Sequence, residues 1–154
     1  MPTFSTSRFG TIEYQDDSVI QFPFGLPGFE EERQFVAIEH TASRPIVFLQ
    51  SLTRPDLCFI TLPVLVVKRD YRLAISPADL KSLALPCDRQ PEIGTDVLCL
   101  AIISVAEGRL PTANLLAPVV VNLKTRVALQ AIQEESAYSH QYPLLDSRPE
   151  AECS

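Results

Sequence analysis

The chain of 154 residues carries 19 acidic against 13 basic side chains, a formal charge of -6, with 46% hydrophobic and 21% charged residues. That length suffices for one domain with a real core and is short for two, and the apolar content excludes a disordered chain. The shortage of Lys and Arg argues against direct nucleic-acid binding, which rests on neutralising phosphates, while an acidic surface serves solubility or docking to a basic partner.

Cys58, Cys87, Cys99 and Cys153 form no Cys-x-x-Cys pair, and no secretory leader is recognisable, so a reducing cytoplasmic location is expected. Cys58 and Cys99 sit within apolar runs, as small buried hydrophobes do. The apolar stretches Ile60 to Val67 and Val97 to Val105 are far shorter than the roughly 20 residues of a membrane helix. A soluble protein is expected.

Thirteen prolines punctuate the chain into short extended segments. Phe9 to Tyr14, Val19 to Phe22 and Gln34 to Glu39 read as the first strands, with a turn at Asp16-Asp17-Ser18. Ile46 to Leu52 and Leu57 to Leu62 form a predicted hairpin about Thr53-Arg54-Pro55-Asp56. Tyr71 to Ile75 alternates like a strand, and Ser76-Pro77-Ala78-Asp79 has the hydroxyl cap, first-turn proline and acid of a helix start, giving a short helix to about Leu85.

Cys87 to Thr95 is polar and predicts an exposed loop. Val97 to Val105 is apolar except for Ser104, which predicts a strand covered on both faces in the wall of a closed or strongly curled sheet. Ala117 to Leu123 and Arg126 to Ile132 read as the last strands, the second with helix as an alternative. The fold class is therefore all-β, a small antiparallel barrel-like domain over residues 1–145 with one short helix, and residues 146–154 read as a flexible tail.

The residues of common catalytic sites are thinly represented. His40 and His140 are the only histidines, and no Gly-x-Ser-x-Gly elbow, close-spaced metal ligands or phosphate loop occurs. No enzyme activity, cofactor or metal is expected. Glu30-Glu31-Glu32 fits a solvated face or a docking patch. The alternative from another class is a small-molecule-binding or enzymatic β-barrel using Tyr14, Cys58 or His140 in its interior.

Two segments are unusually dense. Phe22-Pro23-Phe24-Gly25-Leu26-Pro27-Gly28-Phe29 must turn sharply while its phenylalanines anchor it, as a rigid corner or a binding loop. Thr112 to Asn122 brackets apolar residues with Asn114 and Asn122, which fits a polar staple or a backbone-like surface offered to a partner.

Taken in order, Phe9-Gly10 with Ile12, Gly25 to Phe29, Leu49-Gln50-Ser51, Pro55-Asp56-Leu57 with Phe59, Thr112 with Asn114-Leu115 and Ala117-Pro118, Asn122, Tyr138 and Leu144 resemble the flagellar assembly factor FliW family from about Phe9 to Leu144. The resemblance implies a cytoplasmic, barrel-like, non-enzymatic protein with two alternate partners. These are flagellin and the translational regulator CsrA, which the family antagonises beside its RNA-binding surface, relieving repression of flagellin translation. No nucleic acid or membrane is engaged directly. Candidate partner contacts are Asp56 in the hairpin turn and Asn114, Leu115 and Pro118 in the second dense segment. Lys81 to Asp96 and the residues after Leu144 match no family motif.

Overall fold

The computed structural model describes residues 2–133 and 137–144. Eleven strands, β1 (Thr3–Thr6), β2 (Gly10–Glu13), β3 (Ile20–Gln21), β4 (Gln34–Ile38), β5 (Val47–Ser51), β6 (Cys58–Pro63), β7 (Val97–Ser104), β8 (Thr112–Ala113), β9 (Val119–Asn122), β10 (Ala128–Gln130) and β11 (Tyr142–Pro143), accompany two short helices, α1 (Val64–Val67) and α2 (Pro77–Ser82). The fold is mostly β, as composition and proline placement predict. β1 and β2 pair as a separate hairpin, and the remaining strands form one antiparallel sheet in the order β10-β9-β7-β6-β5-β4-β3, with β8 on β7 and β11 on β8.

The sheet curls without closing into a barrel. Its two ends meet at one parallel bridge, Gln21 with Val127, where the Gln21 N–H donates to the Arg126 carbonyl at 2.8 Å. Side chains inside the curl come from alternate positions: Ile20, Phe22, Phe35, Leu49, Leu100 and Val121 belong to one core cluster. The intervening positions of the central strand, Val97, Cys99 and Ala101, join a second cluster with Leu80, Leu115 and Val120. β7 thus carries two cores at once, which is why almost every residue of it is apolar.

The boundaries differ from expectation where side chains satisfy the backbone. Tyr71 to Ile75 is not a strand. The Arg72 N–H donates to the Tyr138 hydroxyl at 2.8 Å, Ala74 to Gln133 Oε1 at 2.8 Å and Ile75 to Gln90 Oε1 at 2.7 Å, so side chains take the place of a neighbouring strand among the described residues. Helix α2 starts as its cap predicts, with Ser76 Oγ accepting from Asp79 N–H at 3.2 Å, but stops at Ser82 because Ala84 turns to φ 60. Arg126 to Ile132 is a strand over Ala128–Gln130, and its helical alternative is not adopted. Helix α1, in the part of the apolar stretch Ile60 to Val67 that follows the predicted strand, makes two helices where one is expected. The predicted tail at 146–154 lies outside the described residues.

Candidate partner-docking surface

The turn between β5 and β6 is built by two buried polar side chains. Ser51 Oγ accepts from the Thr53 and Arg54 N–H groups at 3.1 and 2.9 Å. The Gln50 amide donates to the carbonyls of Ser51 at 3.0 Å, Pro55 at 3.3 Å and Arg54 at 3.4 Å. These bonds hold the turn open enough to place Pro55 and Asp56 at its tip in solvent, with Asp56 3.7 Å from Arg54 Nε. Both groups of that ion pair are exposed, so it adds little stability.

The Gly25 to Phe29 corner packs against the same turn. Glu32 accepts from Ser51 Oγ at 3.2 Å and from the Thr53 hydroxyl, and the Arg54 guanidinium lies 5.9 Å from the Phe29 ring centroid. Phe29 meets Phe59 edge-on at 5.5 Å. Glu30 is used locally, accepting from Gly28 N–H at 3.1 Å, so of the three consecutive acids only Glu31 has neither bond. Phe22 and Leu26 anchor the corner in the core while Phe24 is 62% exposed at its tip.

The β1–β2 turn completes the surface, because Ser7 N–H donates to Pro55 O at 2.9 Å. A hollow of about 310 Å³ lies between these turns, lined by Ser7, Arg8, Gln50, Pro55, Asp56 and Cys58. Gln50 Oε1 is buried beside it without a hydrogen-bond partner. Burial pushes the Cys58 thiol up, against the opposing effect of Arg8, which keeps it protonated and a poor nucleophile.

The second dense segment is placed elsewhere. Asn114 Oδ1 accepts from Leu116 and Ala117 N–H at 3.1 and 2.9 Å, a local staple of the β8–β9 turn. Leu115 is fully buried and Pro118 is buried behind that turn. No hydrogen bond or ion pair among the described residues joins Asp56 to Asn114. Asn122, 3% exposed, donates to Leu83 O at 2.7 Å and accepts from Lys124 and Thr125 at 2.8 and 3.3 Å, a closed polar staple. Tyr14, Cys58 and His140 do not converge: Tyr14 borders a groove on β2, Cys58 borders the hollow, and His140 stands in an exposed turn.

The FliW protein family matches residues 3–144. The chain belongs to the FliW family. It is 31% identical over 140 residues to the flagellar assembly factor FliW of Bacillus subtilis strain 168, covering 90% of this chain and 94% of that one. To the flagellar assembly factor FliW of Pseudothermotoga lettingae it is 36% identical over 145 residues, covering 91% and 86%. The crystal structure of a flagellar assembly factor FliW superposes with a TM-score of 0.80 at 29% identity, covering 92% of this chain and 96% of that one. Two segments that carry the family resemblance, Gly25 to Phe29 with the following Glu32 and the Gln50 to Asp56 turn, thus meet in the fold. Sequence order hides that convergence, since Glu32 and Thr53 are joined only by folding. Among the described residues, no helix is long and apolar enough to cross a membrane.

Proposed function

We propose that this chain is a non-enzymatic, cytoplasmic flagellar assembly factor that binds flagellin and, alternately, CsrA. It antagonises CsrA non-competitively and so relieves repression of flagellin translation. The observation that carries the reading is the bracing of the Gln50 to Asp56 turn by Glu32 and Phe29, which leaves Asp56 exposed at its tip. A turn fixed from below by Ser51, Gln50 and Glu32 presents its backbone and one carboxylate without further ordering cost, which is what a docking surface gains from preorganisation. Asn114 is the second proposed partner contact, while Leu115 and Pro118, buried beneath its turn, support it without reaching a partner themselves. A core packed with Ile, Phe, Leu and Val supports binding by the outer surface rather than chemistry within.

The test mixes the purified chain with CsrA on a size-exclusion column and then adds flagellin. A complex that flagellin dissolves is expected. Asp56→Asn should weaken CsrA binding about fivefold and reduce its salt dependence. Failure to form any complex at micromolar concentration, or coexistence of both partners on one chain, sinks the alternating scheme.

A further inference from the structure

Among the described residues, two sheet edges end without a partner, and both border one groove. In β4 the backbone groups alternate in direction: Phe22 N–H donates to Arg33 O at 2.8 Å, and Leu52 N–H donates to Gln34 O at 2.9 Å. Odd-numbered residues of β4 therefore face β3 and even-numbered ones face β5. β3 reaches only Phe35 and Gln34, so the backbone groups of Ala37 point past its end. In β2, Tyr14 N–H donates to Pro2 O at 3.1 Å, which turns Ile12 and Tyr14 toward β1 and Glu13 away from it.

Glu13 and Ala37 line the same groove, of about 560 Å³, whose β4 wall runs from Val36 to His40. At about 3.3 Å per residue that wall holds roughly five residues of extended chain. The Phe9 ring rests 5.2 Å from the His40 ring at one end. The groove is acidic: Glu13 and Glu39 line it, no Lys or Arg does, and exposed Asp16 and Asp17 sit between its lining residues Gln15 and Ser18.

We propose that this slot is a β-augmentation site for an extended, Lys- or Arg-bearing segment of a partner protein, which pairs its backbone with Ala37 and sets its cations against Glu13 and Glu39. Charge selects this occupant over the two other candidates. Residues 145–154 of the chain hold Asp146, Glu150 and Glu152 against Arg148, and a second copy brings a formal charge of -6. Either would place acid against acid. The proposal stands apart from the Asp56 surface and does not depend on which partner docks there.

Three synthetic eight-residue probes test it: an alternating Lys-Val peptide, its Glu-Val counterpart, and the Lys-Val peptide N-methylated at alternate backbone nitrogens. Binding is followed by amide NMR shifts on the full chain. The Lys-Val probe should saturate shifts at Glu13 and Ala37 to His40, weaken several-fold as salt rises, and lose about tenfold on N-methylation. Ala37→Pro removes the outward donor at an edge position where proline is tolerated, and should cost a similar factor. Should that variant misfold, the Glu13→Gln/Glu39→Gln double variant, changing only exposed side chains, should still weaken binding several-fold at an unchanged melting temperature. No binding of the Lys-Val probe, equal binding of the Glu-Val probe, or shifts confined to other surfaces overturns the site. So does a concentration-dependent dimer lost in Ala37→Pro, or a groove opened to the probe only by deleting residues 145–154.

Discussion

The rings of Tyr71 and Tyr138 stack with centroids 4.3 Å apart and planes 18° apart, and each hydroxyl reaches across to irregular backbone. Tyr71 donates to Leu115 O at 2.7 Å, and the Tyr138 hydroxyl accepts from Arg72 N–H at 2.8 Å. The pair thereby binds the irregular segment before α2 to the β8–β9 turn and to residues near the C-terminal end of the described chain. Burial raises the Tyr71 hydroxyl pKa well above the ordinary range, so it remains a donor at any physiological pH.

Tyr71→Phe leaves Leu115 O without its donor in a site where Tyr71 is 5% exposed. Tyr138→Phe leaves the Arg72 N–H without its acceptor. Each should cost about 1–2 kcal/mol, the former more because its site is drier. Urea unfolding with an unchanged m value checks this, and a double variant whose loss is less than the sum would reveal coupling through the stack. Midpoints equal to the parent's would mean that water replaces both hydroxyls.

Gly25 has no room for a side chain. Its φ is +64, and a Cβ there would stand 2.5 Å from the Glu30 Cα and carbonyl oxygen. Gly25→Ala therefore meets both left-handed strain and a clash with backbone, and should destabilise by about 2–4 kcal/mol. Because this corner holds Glu32 against Ser51 and Thr53, the variant should also loosen the β5–β6 turn. Faster amide exchange at Thr53 and Arg54 than within β5 would register that loosening; uniform exchange changes would confine the effect to global stability.

How far the sequence discloses this fold depends on where each backbone group finds its partner. β7 is legible because both faces are buried and nearly every position is apolar. The β5–β6 hairpin is legible because Pro55 and Asp56 carry turn chemistry. Tyr71 to Ile75 misleads, since alternation predicts a ladder while Gln90, Gln133 and Tyr138 supply the hydrogen bonds from elsewhere in the chain. β1, β8 and β11 leave little signal, being two to four residues long and set by pairing rather than by pattern. The docking surface is half legible: Asp56 follows from its turn, whereas the joining of Glu32 to that turn is a tertiary event.

Asp96 gives the acid limb of stability a specific component. Its carboxylate accepts from Glu92 N–H at 2.8 Å and from Arg89 at 3.0 Å, which together hold its pKa below the usual carboxylate value. The unfolded-chain value is about 3.9. The contribution is thus complete above that pH and is lost as pH falls through the lower folded-state value. Asp96→Asn should flatten the decline of the urea midpoint below about pH 4 while lowering the midpoint at neutral pH. An unchanged acid limb would mean that solvent screens the Arg89 pair and that the Glu92 bond tolerates an amide.

The thiols should separate cleanly by reactivity. Cys87 is exposed in the loop after α2, Cys58 is half-buried, and Cys99 is buried in β7 with its pKa pushed up to about 12 by desolvation. Access follows that order, and burial also holds the Cys58 and Cys99 thiols above the ordinary thiol range. In a Cys153→Ser background, iodoacetamide at pH 8 should modify Cys87 first, Cys58 more slowly, and Cys99 only at the rate of global unfolding. Urea below the unfolding midpoint should then accelerate Cys99 in proportion to the unfolded fraction. Cys99 labelling ahead of that fraction would show β7, the strand shared by both cores, opening apart from global unfolding.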